Sequence, residues 1–271
     1  MTISPWQIDH HLADDLAAAL GWSADDGAAR LAERIPSKVL CGSTAKLAAV
    51  AADEVPPGAD PDALARQILT NLARGTSPAW SCWVVATVMA ALLDDAGYPS
   101  PQVAAVRRVD PAAPTVDFHS TVVVVDGGPT WLCDPYFGLA VPLPTGPIDG
   151  GEPTESDDEL RWARATVEPG DRWLLEFQIK RWESPLAYRV FAPSLDRLDV
   201  HSLCAISVSH SGVPARPYAR LHPGERVVVD AHQDESGANV VTRWPPVSRE
   251  TCVTWDDAVD AFAALTGVRV T

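Results

Sequence analysis

The sequence predicts an α+β protein in which an N-terminal helical bundle is followed by a central antiparallel β-barrel or sheet and a mixed α/β C-terminal part. Up to residue 98, apolar residues recur at helical spacing. From residue 102 onward, short runs of alternating apolar and polar residues are separated by turn residues. With 271 residues, 46% of them hydrophobic, the chain can bury a full core as one large domain or as two or three closely packed lobes.

The helical segments of the first hundred residues differ in clarity. His11 to Leu20 has helical spacing, and Ala45 to Ala52 is a second short candidate. The clearest amphipathic helix covers residues 61–74, with Asp60 as its N-cap and Gly75 at its end. These segments together predict that helices form the first part of the fold.

Cys82 to Leu93 is predicted to be a helix that is buried on all sides. Thr87 is the one polar residue between them, and Gly97 follows as a stop signal. Two starts are possible: Ser77-Pro78 would place Cys82 in the second turn, whereas Ser81 as N-cap would make Cys82 the first helical residue. We expect the second start, or a break between the two, because a reactive thiol needs an open helix end.

The central strands include one hairpin with a strong signal. Asp126-Gly127 lies between two runs rich in strand formers, which predicts a two-residue type I′ turn. If Val125 faces Gly128, His119 lies directly opposite Asp134, with β-carbons roughly 5 Å apart. Further strands are predicted at residues 102–109, 172–179, 203–209, 226–231 and 239–243.

The remaining segments are a loop and a last helix. Residues 146–158 combine Gly, Pro and acidic residues and predict an exposed loop. Thr254 is expected to cap a C-terminal amphipathic helix that Gly267 closes.

Composition excludes several classes of function. The formal net charge of -15 at pH 7 leaves no electropositive face for a nucleic acid. No N-terminal apolar signal and no run of about 20 apolar residues is present, so we expect a cytoplasmic protein without a membrane partner. The five cysteines are widely spaced and form no Cys-x-x-Cys unit, and the histidines show no ligand spacing, so neither a disulfide framework nor a metal site is expected.

Cys82, His119 and Asp134 are the candidate catalytic residues. A carboxylate can orient an imidazole, and an imidazole beside a thiol favours the thiolate, which is the nucleophile in acyl transfer through a thioester. Cysteine, histidine and acid occur here in the chain order of the papain-like superfamily of cysteine acyl-transfer enzymes. Cys133, beside Asp134, should point to the opposite face of its strand and be structural.

Within that superfamily the chain resembles the arylamine N-acetyltransferases. Three motifs carry the resemblance, in the order and near the intervals of the family: Arg74-Gly75 followed by Cys82, His119-Ser120-Thr121-Val122, and Leu132-Cys133-Asp134-Pro135-Tyr136-Phe137-Gly138. Residues 207–212 and 262–268 are weaker matches to the third domain.

The resemblance implies a fold, a division into domains and an activity. Residues 1–98 would form a helical domain with the nucleophile, residues 99–202 a β-barrel domain with the histidine and aspartate, and residues 203–271 a C-terminal α/β lid. Cys82 would take an acyl group, as a rule acetyl, from acetyl-CoA or another thioester and pass it to a small-molecule amine or hydroxyl acceptor. No residue is implied for binding the CoA group.

Three hypotheses of function remain open from the sequence. The first is a CoA-dependent N- or O-acyltransferase. The second is a transglutaminase-like or amide-forming enzyme, or a hydrolase, whose acyl donor is a carrier-protein thioester, an amide or a peptide. The third is a catalytically silent relative retained for binding, because Val84 and Ala86 stand where the family has Glu and Asn, and because the Arg74-Gly75 loop is altered.

Overall fold

A computed structural model describes twelve segments of the chain, which confirm the predicted α+β class. They are residues 6–45, 60–75, 78–108, 118–136, 138–143, 160–168, 172–179, 186–190, 218–220, 228–234, 236–244 and 248–266. The predicted strand at 203–209, the predicted loop at 146–158 and most of the predicted helix at 45–52 lie outside these segments.

Five α-helices occur in the described segments, and their capping residues explain their bounds. Asp9 accepts hydrogen bonds from the first backbone N–H groups of the first helix, and Gly21 ends that helix with a left-handed φ of 67°. Asp60 caps the third helix, as the sequence predicts. The helices are α1 (His10–Leu20), α2 (Gly27–Lys38), α3 (Pro61–Ala73), α4 (Cys82–Asp95) and α5 (Trp255–Thr266).

Helix α2 was not predicted, because Pro36 in its last turn is a residue that normally ends a helix. The loss of one backbone hydrogen bond there is offset by a fully buried apolar face that includes Leu31 and Ile35. The start of the helix is held from a distant part of the chain: the Ala28 N–H donates to Asp126 Oδ2 at 2.8 Å. Tertiary contacts, and not local sequence preference, therefore stabilise helix α2.

Seven antiparallel strands of the described residues form the first sheet, in the order β5-β4-β3-β2-β8-β7-β6. Among the described residues no strand pairing joins β5 to β6, so of the two predicted alternatives, a barrel or a sheet, the described strands form an open sheet. Its strands are β2 (Gln102–Arg108), β3 (Phe118–Val125), β4 (Thr130–Asp134), β5 (Leu139–Pro142), β6 (Leu160–Glu168), β7 (Arg172–Ile179) and β8 (Leu186–Val190).

Within the part of the chain that the structure describes, the second sheet has five strands in the order β1-β9-β10-β11-β12. Its first strand comes from the N-terminal part of the chain, where Cys41 pairs with Arg220. Helix α5 packs on this sheet through Phe262, and Thr254 caps the helix as predicted. The strands are β1 (Cys41–Gly42), β9 (Tyr218–Arg220), β10 (Val228–Gln233), β11 (Asn239–Trp244) and β12 (Ser248–Cys252).

Helix α4 lies at the centre of the largest hydrophobic core. All of residues 83–93 are buried, which confirms the prediction of a helix buried on all sides. Its neighbours in the sheet are side chains of one face of β3, Val122 and Val124. The apolar area removed from water fixes α4 against the sheet and places its N-terminus at one end of β3. No helix within the described segments has the length and hydropathy of a membrane span.

Candidate active site

Cys82 is the first residue of α4. Ser81 occupies the N-cap position with φ −66° and ψ 158°, and its side chain makes no capping hydrogen bond. The Cys82 side chain is partly buried. An uncapped helix start leaves backbone N–H groups and the positive end of the helix dipole beside the sulfur, and both favour a negative charge there. The expected start of the helix at Cys82 is confirmed.

The segment that leads into Cys82 is fixed by backbone hydrogen bonds. The Trp80 N–H donates to the Leu40 carbonyl at 2.8 Å, and the Gly42 N–H donates to the Trp80 carbonyl at 2.8 Å. These bonds form a parallel bridge between Cys41 and Trp80. The position of the thiol therefore depends on strand β1 as well as on α4.

The turn of the β3–β4 hairpin lies one residue further along the chain than predicted. The predicted turn had Asp126 and Gly127 at its centre. In the structure the Asp126 N–H donates to the Pro129 carbonyl at 2.9 Å, so Gly127 and Gly128 form the centre, with φ values of 62° and 111°. Two consecutive residues with positive φ suit glycine better than Asp-Gly.

The new turn shifts the register of the hairpin by two residues. Val125 pairs with Thr130 and not with Gly128, so the prediction that His119 lies directly opposite Asp134 is wrong. A shift by two keeps every side chain on its predicted face, and diagonal neighbours remain within reach of long side chains. His119 Nε2 and Asp134 Oδ2 are 2.6 Å apart. The hydrogen-bonded pair that the sequence predicts therefore forms along a diagonal.

Asp134 is held in place by two hydrogen bonds. The side chain is buried, Oδ2 bonds to His119, and Oδ1 accepts the Tyr136 backbone N–H at 3.0 Å. Because Nε2 of the imidazole faces Asp134, Nδ1 is the nitrogen that remains for Cys82, whose charge helps to raise the pKa of His119. The three predicted side chains are therefore near enough to one another to interact electrostatically.

The electrostatics of the site favour a charged pair of thiolate and imidazolium. Burial alone would lower the pKa of His119, but the charges of Asp134 and Cys82 outweigh it and raise the pKa to about 10. Burial alone would raise the pKa of the Cys82 thiol, but the charge of His119, together with the nearby His119 ring and Ser120 hydroxyl, brings the pKa below its ordinary value. Each member of the pair thus stabilises the charged form of the other.

Two tyrosines lie against the imidazole of His119. The Tyr136 ring is 5.3 Å from it in an edge-on arrangement, and the Tyr188 ring is 5.9 Å from it at 46°. Aromatic rings attract a cation that lies near their faces. Tyr188 is buried. It was not predicted as part of the site, because it is far from His119 in the sequence and only the pairing of strand β8 in the sheet brings the two residues together.

Ser120 is a second residue that the sequence analysis missed. The residue is fully buried, and its hydroxyl makes no hydrogen bond of standard length and angle. Alternation along β3 places it on the same face as Val122 and Val124, the face that packs on α4. This alternation was the signal that could have identified it, once Cys82 was placed at the start of α4.

Cys133 is distinguished from Cys82 by its surroundings. It is buried in the core cluster of α4, on the opposite face of β4 from Leu132, as predicted. Burial, with smaller contributions from Asp126 and Asp134, raises the pKa of its thiol well above the ordinary value. Cys133 is therefore an unreactive core residue.

A group of three side chains outside the site has the spacing of a metal site. His10, Asp14 and Asp95 are close together at the protein surface. A hydrogen bond to Asp95 and the charges of Asp95 and Asp14 raise the pKa of His10. Ion pairing with two carboxylates accounts for this arrangement.

Comparison with known proteins finds similarity in structure alone. No protein-family model and no curated protein matches the chain. Solved structures do match. The arylamine N-acetyltransferase from Mycobacterium abscessus aligns with a TM-score of 0.67 at 17% identity, covering 95% of this chain and 90% of that chain. The Nocardia farcinica enzyme aligns with a TM-score of 0.66 at 15% identity, covering 96% and 90%. The chain has the fold of the arylamine N-acetyltransferases.

A third solved structure gives the same result. The arylamine N-acetyltransferase from Salmonella typhimurium aligns with a TM-score of 0.60 at 12% identity, covering 95% of this chain and 91% of that chain. The alignments extend over nearly the whole length of both partners. The resemblance seen in the sequence motifs is thus confirmed for the fold.

Proposed function

We propose that this protein is a cysteine-dependent acyltransferase in which Cys82 carries the acyl group, with His119 and Asp134 as its catalytic partners. Its acyl donor is acetyl-CoA or another acyl thioester, and its acceptor is a small-molecule amine or hydroxyl compound. In the proposed division, residues 1–98 supply the nucleophile, residues 99–202 supply the histidine and the aspartate, and residues 203–271 form a lid.

One observation carries the proposal: a buried, hydrogen-bonded His119–Asp134 pair adjoins a thiol at an uncapped helix start. A histidine or an aspartate alone is usually structural. Here the Asp134 carboxylate fixes the ring so that Nε2 is occupied and Nδ1 is available for the sulfur. A thiolate held in this way is a ready nucleophile at neutral pH.

In the first half-reaction the Cys82 thiolate attacks the carbonyl carbon of the thioester. The carbon–sulfur bond to CoA breaks, and the His119 imidazolium gives its proton to the departing CoA sulfur. The products are free CoA thiol, an acylated Cys82 and a neutral imidazole. A thioester replaces a thioester, so this half-reaction is close to balanced in free energy.

In the second half-reaction an amine or hydroxyl compound attacks the acyl-cysteine. The neutral imidazole of His119 takes the proton of the attacking group, and Cys82 leaves as a thiolate. The thiolate–imidazolium pair is thereby restored, and the Asp134 carboxylate keeps the ring in place throughout. Ping-pong kinetics are expected from this sequence of steps.

The acceptor side of the site differs from the family motif. Val84 and Ala86, at the positions of the family's Glu and Asn, are both buried among apolar residues of the core, so no polar group of these two residues meets the substrate. Tyr136 stands where the family has a small glycine, and its ring lies beside the imidazole. We therefore propose that the Tyr136 ring, and not polar side chains on helix α4, determines which acceptor molecules the site accepts.

The proposal is tested by the mass of the intact protein after incubation with acetyl-CoA. The wild type is expected to gain one acetyl group, and Cys82→Ala none. Cys252→Ala is the matched control, because Cys252 is also a partly buried thiol but lies in β12, away from the site. It is expected to gain the same adduct as the wild type.

A second step separates transfer from the alternatives. Adding an amine to the isolated acyl-enzyme should remove the adduct and yield the acylated amine, whereas loss of the adduct to water alone would indicate a hydrolase. If the wild type gains no adduct from any of a panel of thioesters and its Cys82 fails to react with iodoacetamide at neutral pH, the acyltransferase proposal is wrong.

A further inference from the structure

The hydroxyl of Ser120 is a buried polar group without a standard partner. Ser120 is 0% exposed, and its Oγ makes no hydrogen bond of standard length and angle. A buried hydroxyl that bonds to nothing costs folding free energy, so its presence calls for an explanation. Thr121, its neighbour on β3, shows the usual solution, since its Oγ1 donates to the Cys133 carbonyl at 2.7 Å.

The sulfur of Cys82 is a candidate acceptor for the Ser120 hydroxyl. Strand β3 turns the Ser120 side chain toward α4, which begins at Cys82. The hydroxyl is near enough to the sulfur to contribute to the lowered pKa of the thiol. A long or bent contact satisfies both observations, because a neutral thiol is a weak acceptor and a thiolate is a strong one.

We propose that Ser120 belongs to the nucleophilic centre, where its hydroxyl donates a hydrogen bond to the thiolate of Cys82. The sulfur then has two donors, the His119 ring and the Ser120 hydroxyl, on neighbouring residues of one strand. The two donors fix the direction of the sulfur as well as its charge. This inference rests on the proposed function, in which Cys82 is the nucleophile.

The test is the pH dependence of Cys82 alkylation by iodoacetamide, followed peptide by peptide by mass spectrometry. The pH at which the alkylation rate reaches half of its maximum reports the ionisation of Cys82. In Ser120→Ala this midpoint is expected to rise by about one pH unit, so that below the midpoint the reaction is about tenfold slower than in the wild type. Ser120→Thr keeps the hydroxyl and is expected to keep the wild-type midpoint. Thr87→Val is the matched control, because Thr87 is also fully buried on α4 with an unpartnered hydroxyl.

The outcomes separate a chemical role from a structural one. Ser120→Ala loses the hydrogen bond to the thiolate, so its melting temperature is expected to fall below that of the wild type at pH values where Cys82 is ionised, and not where the sulfur is a neutral thiol. A midpoint in Ser120→Ala that moves no further than in Thr87→Val overturns the proposal. Acetyl loading is measured in parallel: a shifted midpoint without any loading refutes the proposed function alone, and normal loading with an unshifted midpoint refutes the role of Ser120 alone.

Discussion

Replacing Cys82 with alanine is expected to change how the free energy of unfolding depends on pH. The pKa of His119 is raised from 6.5 to about 10 by folding. Its stabilising contribution is therefore complete below pH 6.5 and is lost as the pH rises toward 10. The pKa of Cys82 is lowered from 9.0, so its contribution is complete above pH 9.0 and is lost as the pH falls.

In the wild type these two contributions offset each other between pH 6.5 and 9.0. The folded thiolate–imidazolium pair holds one proton, and so do the unfolded thiol and neutral imidazole together. Without Cys82, the His119 contribution alone remains, and Asp134 still raises the pKa of the ring. The free energy of unfolding should then fall by at most about 1.4 kcal/mol per pH unit, or about 2–3 kcal/mol between about pH 6.5 and 8.5.

The assay is urea unfolding of both proteins across this pH range, read as the difference in unfolding free energy between variant and wild type. Taking the difference cancels every other titrating group. Cys252→Ala is the control and should give a difference that does not change with pH. A difference that is equally flat for Cys82→Ala would refute the reasoning, because it would mean that Asp134 alone does not keep His119 protonated in the folded variant.

Three further predictions follow from single contacts. Asp134→Asn removes the charge that keeps the imidazole protonated, so alkylation of Cys82 at pH 7 should slow by at least about thirtyfold. Gly27→Ala should destabilise the protein by about 1–3 kcal/mol in urea unfolding, because Gly27 has φ +82° and a β-carbon there would lie 3.2 Å from Asp126 Oδ2. Cys133 should stay unlabelled by iodoacetamide in the folded protein, because burial raises the pKa of its thiol.

Two of these predictions have an internal check. Asp126→Asn removes a carboxylate of the same hairpin that contacts α2 and not His119, so it should leave Cys82 reactivity unchanged. Gly97→Ala shares the positive φ of Gly27 but has open space around the new β-carbon. Equal costs for the two glycine variants would show that the contact with Asp126 contributes nothing.

The sequence predicted the parts of the site that depend on local pattern. Residues 83–93 are almost wholly apolar, so their burial needed no tertiary information. The start of the helix at Cys82 was expected because a reactive thiol needs an open helix end and not because of a cap, and Ser81 makes no capping hydrogen bond in the structure. The face of β3 and β4 on which His119 and Asp134 lie was also correct, because the alternation of a strand survives a register shift of two residues.

What the sequence did not predict depends on contacts between distant segments. The register of the hairpin depends on whether Asp126-Gly127 or Gly127-Gly128 forms the centre of the turn. Both pairs suit a two-residue turn, so the sequence pattern does not distinguish them. Helix α2 contains Pro36 and is stabilised by packing. Strand β12 is mostly exposed and polar at Ser248–Cys252, so it lacks the alternation of a half-buried strand. It forms because the edge of β11 has backbone groups that are free to pair with it.

The bridge between Trp80 and Cys41 joins the segment before Cys82 to the second sheet. Strand β1 is bonded on one side to β9 and on the other to the segment before Cys82. A local opening that frees β1 breaks both sets of bonds at once, so the two belong to one cooperative unit. Amide hydrogen exchange at Gly42 and Trp80 therefore reports the fraction of molecules in which the thiol has lost its anchorage.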